Sequence, residues 1–346
     1  MKLTTAFREQ AQSCAKLGSP FMERLLTLLA DHWPKDSALA RHLSSFTGDI
    51  GPSGASLPLR LAGGLHALKL SNQSPDLVAV YPPNLKSDDN ILQIVLHVLH
   101  EHEDFLISWT NNAPQTNEVR RSAALIAGAH VAAQRFDLPI HLSELGASGG
   151  LNLMWDHYAL NAGGTIIGHP APALTLQPDW AGPPPPKGNP VIATRAGVDL
   201  NPLNASDPSD LLRLMAYLWP DQPDRLALTQ AAAKITTTRI DRGDAVEWLE
   251  SRLSDAPGGH LHLIQHTVAW QYFPQAAQAF GQSMIEAAGA VATADRPLGW
   301  LSLENDGDNT GATGAALTLR LWPGNEVLTL GRADFHGRWV QWAGLT

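Results

Sequence analysis

From Phe7 to about Arg135, apolar residues recur at spacings of three and four. The pattern runs through "FMERLLTLLADHW", "SALARHLSSF", "LRLAGGLHALKL", "NILQIVLHVLHEHEDFLISW" and "EVRRSAALIAGAHVAAQRF". Such spacing lines one face of a helix and predicts a mostly helical half. From Leu138 onward the texture changes, and short apolar runs alternate with helical stretches. The predicted strands are "PIHLSEL", "VIATRAGVDL", "ITTTRID", "HLHLIQH", "LGWLSLE", "ALTLRLW" and "VLTLGRAD", with helices at "DPSDLLRLMAYLW", "GDAVEWLESRL" and "FPQAAQAFGQSMIEAAG". Alternation of this kind predicts an α/β fold with a mainly parallel sheet. The organisation expected is an α-helical N-terminal domain at 1–124 and an α/β domain at 125–346. A Pro/Gly-rich segment near 161–190, ending in "AGPPPPKGNP", resists helix and central strand, and reads as a surface excursion or small β-arm inserted in the second half. Pro323-Gly324-Asn325 between two alternating apolar runs signals a hairpin.

One stretch stands apart within this pattern. "LPIHLSELGASGGLNLMWD" carries an apolar strand into Glu144, then into Gly146, Gly149 and Gly150, and "LNLMWDHYAL" reads as the start of a helix. Bare backbone beyond the carboxyl end of a strand lets a ligand come close. A dinucleotide fingerprint needs glycine at the first, third and sixth positions of the turn. Those positions hold Gly146, Ser148 and Leu151, which disfavours NAD and FAD.

The acidic-x-Gly-x-small-x-Gly series Glu144, Gly146, Ser148, Gly150 resembles motif I of the class I S-adenosylmethionine-dependent methyltransferases, with Ser148 in place of the middle glycine. The resemblance implies a Rossmann-like methyltransferase sheet, mainly parallel with an antiparallel C-terminal hairpin strand, and S-adenosylmethionine as cofactor. In that family the turn lies against the methionine and ribose portions of the cofactor. Asp199 in "RAGVDLNP" matches the acid that holds the ribose hydroxyls, although ordinary turn chemistry also places Asp there and the interval from Gly150 is longer than the family's. Asp244 and Ala245 in "RIDRGDAVEWL" match the residues flanking adenine; Asp244 also reads as a helix cap.

"HLHLIQHTVAWQYFP" resembles the fourth strand and motif IV, which brings His266, Trp270, Gln271 and Tyr272 to the carboxyl edge. The resemblance implies His266 as base with Tyr272 beside it, and Trp270 as an aromatic surface for ligand or sulfonium, unless these rings are core. In "PQTNEVRRS", Gln115, Asn117 and Arg121 read as contacts for the cofactor carboxylate or a polar substrate, or as a helix start capped by Asn117. The set "ELGASGGLNL", "GVDLNP", "GDAVEWL" and "WPG…HGRW" is also similar to a bacterial family known only as a domain of unknown function.

Composition narrows the partners. The 24 Lys and Arg are scattered among 33 Asp and Glu for a net charge of −9, which is the wrong field for nucleic acid and favours a small-molecule substrate. No apolar run approaches the roughly 18 residues of a membrane span, so no membrane partner is expected. Arg8, Glu9 and Lys16 interrupt any export-type apolar run, and cytoplasm is the expected compartment. The lone Cys14 excludes an intrachain disulfide and a Cys-based zinc site. His97 and His100 in "HVLHEHED" share a helical face without the His-Glu-x-x-His spacing, and no metal is expected; His336 reads as a structural histidine. The function expected is S-adenosylmethionine-dependent methyl transfer to a small molecule. A non-catalytic binding module on the same fold and a nicotinamide-dependent oxidoreductase are the alternatives, and the acceptor and oligomeric state stay open.

Overall fold

The computed structural model describes residues 2–84, 86–307 and 313–344. They form a mixed α/β protein with two compact units, Met1–Thr116 with Asp207–Ala227, and Asn117–Ser206 with Leu228–Thr346. The first unit is helical. Its helices span Leu3–Lys16, Pro20–His32, Ala38–Ser44, Leu57–Leu70, Pro75–Val80, Asp88–Glu101, Glu103–Thr110 and Pro208–Ala216. The run expected as one helix, "NILQIVLHVLHEHEDFLISW", breaks at His102, whose backbone leaves the helical region. Helix Pro208–Ala216, which the sequence pattern assigned to the α/β half, groups with this unit: Tyr217 packs where a Cβ on Gly63 would stand, and Ala216 O accepts from His66 Nδ1.

Among the described residues the second unit carries twelve strands: β1 Ile140–Leu145, β2 Tyr158–Ala162, β3 Thr165–Gly168, β4 Leu174–Leu176, β5 Asp179–Ala181, β6 Ile192–Asp199, β7 Asp241–Arg242, β8 Leu261–Thr267, β9 Leu298–Glu304, β10 Ala315–Trp322, β11 Glu326–Ala333 and β12 Trp339–Trp342. Nine of them form one sheet in the order β5-β12-β11-β10-β9-β8-β1-β6-β7. Strands β7, β6, β1, β8 and β9 are mutually parallel, while β9 to β12 run as an antiparallel meander. Both β1 and β8 are buried at every position, as central parallel strands covered on both faces must be. Helices Ser122–Phe136, Ala245–Ser254 and Gln275–Ala290 belong to this unit, and Leu301 of β9 fills the space above Gly128 of the first of these.

Four sequence expectations change here. "LNLMWDHYAL" is not an α-helix: it makes a 3-10 turn over Leu151–His157 and then becomes β2, because Tyr158, Ala159 and Leu160 are wanted in the core of a second sheet, β3-β2-β4. "ITTTRID" supplies only Asp241, the first of the two residues of β7; the preceding helix Pro223–Ile235, unforeseen in the pattern, uses up its first residue. The expected inserted C-terminal strand is instead the meander, with the predicted turn at Pro323-Gly324-Asn325 joining β10 to β11. The Pro/Gly-rich segment folds more than its composition suggests. Gly163 and Gly164, both at positive φ, make a two-residue hairpin between β2 and β3, and β5 goes on to pair with β12 at the sheet edge.

Candidate functional site

Chain order and sheet order part company at β1. The chain passes from β1 to β6 on one side and later places β8 on the other, and in an open α/β sheet the crevice beyond the carboxyl ends of such a pair is where ligands bind. The turn Gly146–Gly150 sits there. Gly146 and Gly150 hold φ of 69° and 75°, and between them Ser148 holds 53°, a left-handed backbone that ordinarily selects glycine. A Cβ on Gly146 would stand 2.5 Å from the Ala269 methyl, and one on Gly150 2.8 Å from Ile240. The turn rests on the neighbouring strand at Gly197, where a Cβ would meet Ala147 at 2.7 Å.

The backbone amides of the turn are already engaged. Ala147 donates to Val198 O and Gly150 to Ala147 O. Ser148 donates to Asp199 Oδ2 at 2.9 Å, while Gly149 and Leu151 both donate to Asn117 Oδ1, at 3.2 and 2.9 Å. Asp199 and Asn117 therefore brace the turn from below. Asn117 is buried, its side-chain carbonyl doubly used as a brace of the turn, and the cap of the turn that follows is Glu118, not Asn117. These five amides are therefore already bonded within the chain.

Glu144 closes β1 at the turn and is only 2 % exposed. Its Oε2 has no hydrogen-bond partner, and neither does the buried Ser148 Oγ. Burial pushes the Glu144 carboxyl up to about 8; the Gln265 side chain beside it works against that shift and the Asp199 charge adds to it. Gln265 is itself fixed, accepting from Trp155 Nε1 at 2.9 Å and donating to Asn152 O. Arg195 on β6 is committed to Asp156 through two hydrogen bonds of 2.7 and 2.8 Å.

A second cluster stands at the ends of β8 and β9. His266 is buried; Trp300 Nε1 donates to its Nε2 at 2.8 Å, which leaves the ring proton on Nδ1, donating to Glu304 Oε1 at 2.7 Å. Glu304 also accepts from the amides of Ala269 and Trp270, at 2.9 and 3.1 Å, and from Gln271. Burial raises the Glu304 carboxyl, but His266 and these amides outweigh it and hold the group below its ordinary value. Val268, a β-branched residue at φ 52°, lies between the strand and this clamp. Such a backbone costs about 1–3 kcal/mol and is held only where its surroundings dictate it.

The expected site residues divide accordingly. Glu144, Gly146, Ser148, Gly150 and Asp199 converge on the turn. His266, expected as general base, lies in the second cluster with both ring nitrogens hydrogen-bonded, to Trp300 and Glu304. Trp270 is partly buried, stacks on His266 and packs on Phe273 and Trp300. Tyr272 is 74 % exposed. Asp244 caps helix Ala245–Ser254, accepting from Val246 and Glu247, and Ala245 is buried beneath it. Arg121 donates to Phe335 O and Thr267 O and ties the end of β8 to the loop between β11 and β12. Gln115 belongs to the helical unit. Glu304 and Gln265 were missed, although Glu304 follows the same sequence rule as Glu144 and Asp199: an acid at or next to the carboxyl end of a strand.

A family model described as an uncharacterized protein conserved in bacteria matches residues 4–342. The chain belongs to this family, DUF2332. A comparison with curated proteins found no match, and neither did one with solved structures. The match covers both units of this DUF2332 member, the turn and the Glu304 clamp included. Among the described residues no helix is long and apolar enough to cross a membrane, and no three His, Cys, Asp or Glu side chains gather as a metal ion would require.

Proposed function

We propose that this DUF2332 protein binds S-adenosylmethionine at the turn Glu144–Gly150 and transfers its methyl group to a small-molecule acceptor. The observation that carries the reading is the turn itself: a switch-point crevice bounded by positive-φ residues, its amides spent on Asp199 and Asn117, and two buried polar atoms, Glu144 Oε2 and Ser148 Oγ, without partners. A ligand without phosphate fits such a turn better than a nucleotide tail does. The order β7-β6-β1-β8-β9 supports the Rossmann-like reading of the sheet.

When bound, S-adenosylmethionine supplies a methyl group already activated on a cationic sulfur. The protein then has to orient and to exclude water. Asp199 has spare acceptor capacity for ribose hydroxyls, since the amides of Ser148 and Asn201 occupy one site on each oxygen. The Glu304 clamp fixes the segment Val268–Gln271 against Gly146, closing the opposite wall.

The non-catalytic reading has one observation in its favour, the fully engaged His266. Methyl-labelled S-adenosylmethionine incubated with the protein and a small-molecule extract separates the two. Transfer of label by the wild type and not by Gly146→Asp supports the enzyme; tight binding with no transfer to any fraction supports the binding module. A folded protein that does neither contradicts both.

A further inference from the structure

A second set of polar groups lies wholly inside the helical unit. Gly63 and Gly64 sit side by side on helix Leu57–Leu70. A Cβ on Gly63 would stand 2.5 Å from Tyr217 Cε1, and one on Gly64 3.2 Å from Trp109 Cδ1, so the two glycines let both rings press on the helix. The ring centroids are 6.1 Å apart. Both residues are more than nine-tenths buried, yet Trp109 Nε1 and the Tyr217 hydroxyl have no hydrogen-bond partner. Two guanidiniums flank them. Arg213 Cζ lies 4.8 Å from the centre of the Trp109 ring, and Arg60 donates from Nε to Ala55 O and from Nη1 to Thr110 O and Asn111 O.

No carboxylate balances this charge: among the described residues neither Arg60 nor Arg213 forms an ion pair. Burial lowers the Arg60 guanidinium from its ordinary value, and the group that opposes the shift is the Tyr217 phenol, not an acid. Burial raises the Tyr217 hydroxyl, against which Arg213, Trp109 and Arg60 all pull. An indole N–H and guanidinium N–H groups only donate, and the phenol offers one more O–H. The set lacks an acceptor that carries negative charge. A buried water would take two of these donors and leave both cations unbalanced.

We propose that Arg60, Trp109, Arg213 and Tyr217 form an oxyanion-binding site that takes a small molecule by its carboxylate or phosphate group. Arg213 is half-buried, and its planar fork suits two oxygens of one anion. Arg60, fixed by backbone carbonyls, adds charge from a set position. Trp109 and Tyr217 choose the orientation, because each offers a single directed donor. The site uses nothing of the turn Gly146–Gly150 and stands or falls separately from the adenosyl reading.

The experiment is nuclear magnetic resonance of the protein isotope-labelled at tryptophan nitrogen, with the Trp109 indole signal identified through Trp109→Phe. The probes are inorganic phosphate, phenyl phosphate, acetate and benzoate at neutral pH, with sodium chloride holding ionic strength constant. The site predicts that the Trp109 N–H signal moves saturably, with a dissociation constant of about 1 mM or tighter for at least one probe, and that Arg213→Gln and Tyr217→Phe each weaken it about tenfold. Tighter binding of the phosphates or of the carboxylates decides which group the site takes, and either supports it. A Trp109 signal that no probe moves, or that chloride alone moves as far, overturns the site, and the wild-type protein suffices for that result. A variant that keeps its other indole signals in place and titrates like the wild type overturns it too.

Discussion

Ser148 shows most directly how one residue reports on the turn. It stands where a glycine would be expected, at φ 53°, with its hydroxyl buried and unpaired. A left-handed L-residue costs about 1–2 kcal/mol and an unpaired buried hydroxyl about as much again, against roughly 0.5–1 kcal/mol of extra chain entropy lost by glycine. Ser148→Gly is therefore expected to stabilise the ligand-free protein by about 1 kcal/mol in urea unfolding. The sequence showed the exception at Ser148 but not its strain, because φ is set by how Asp199 and Asn117 pull on the adjacent amides. Glu144, Gly146 and Asp199 were legible from position alone, each being at a strand end or in the turn after it. His266 was not, because the donation from Trp300 depends on β8 and β9 being neighbours. That adjacency brings together residues 34 positions apart.

At the scale of elements, the carboxyl edges of β8 and β9 work as one clamp. Three consecutive amides and an imidazole N–H converge on the Glu304 carboxylate, and strained Val268 is held in place by that convergence. Glu304→Ala leaves those donors buried without an acceptor and is expected to cost on the order of 3 kcal/mol. Hydrogen exchange localises the damage: amides of residues 268–272 are expected to exchange faster while those of Ile140–Leu145 keep their protection. Strands with continuous apolar runs were readable from the sequence, as was the turn between β10 and β11. The pieces between 151 and 181 were harder, because a 3-10 turn and four short strands have no period of their own. The Gly163-Gly164 pair was the one local signal there, and proline content obscured it.

For the whole molecule, buried histidines and one buried carboxyl shape the pH dependence of stability. Burial lowers His66 from an ordinary 6.5 to about 4, lowers His130 in the same direction and, assisted by Arg252, lowers His141 and His262 to about 4 and about 3. The unfolded chain then binds more protons at these histidines than the native one as pH falls below 6.5, so stability falls on acidification. Glu144 acts in the opposite sense. Its folded value of about 8 against an ordinary 4.5 means that the stability it contributes is complete below 4.5 and is lost as pH rises toward 8. From 4.5 to 6.5 the histidines outweigh the one carboxyl, and above 6.5 the carboxyl dominates. These groups place the stability maximum near pH 6.5. Unfolding midpoints measured from pH 4.5 to 9 are expected to trace that maximum, and Glu144→Gln is expected to remove the alkaline decline, a difference on the order of a few kcal/mol at pH 8.5. A variant that declines as steeply as wild type would show Glu144 ionised in the native protein.

The central claim is that the turn exists to hold an adenosyl ligand, and calorimetric titration of the folded protein with S-adenosylmethionine tests it most directly. The account predicts one-to-one binding in the roughly micromolar range. In Gly146→Asp, whose new side chain would press on Ala269 at 2.5 Å and strain a φ of 69°, binding is expected to be lost while the far-ultraviolet spectrum is kept. No heat of binding from a protein shown to be folded, or equal binding by the variant, would contradict it.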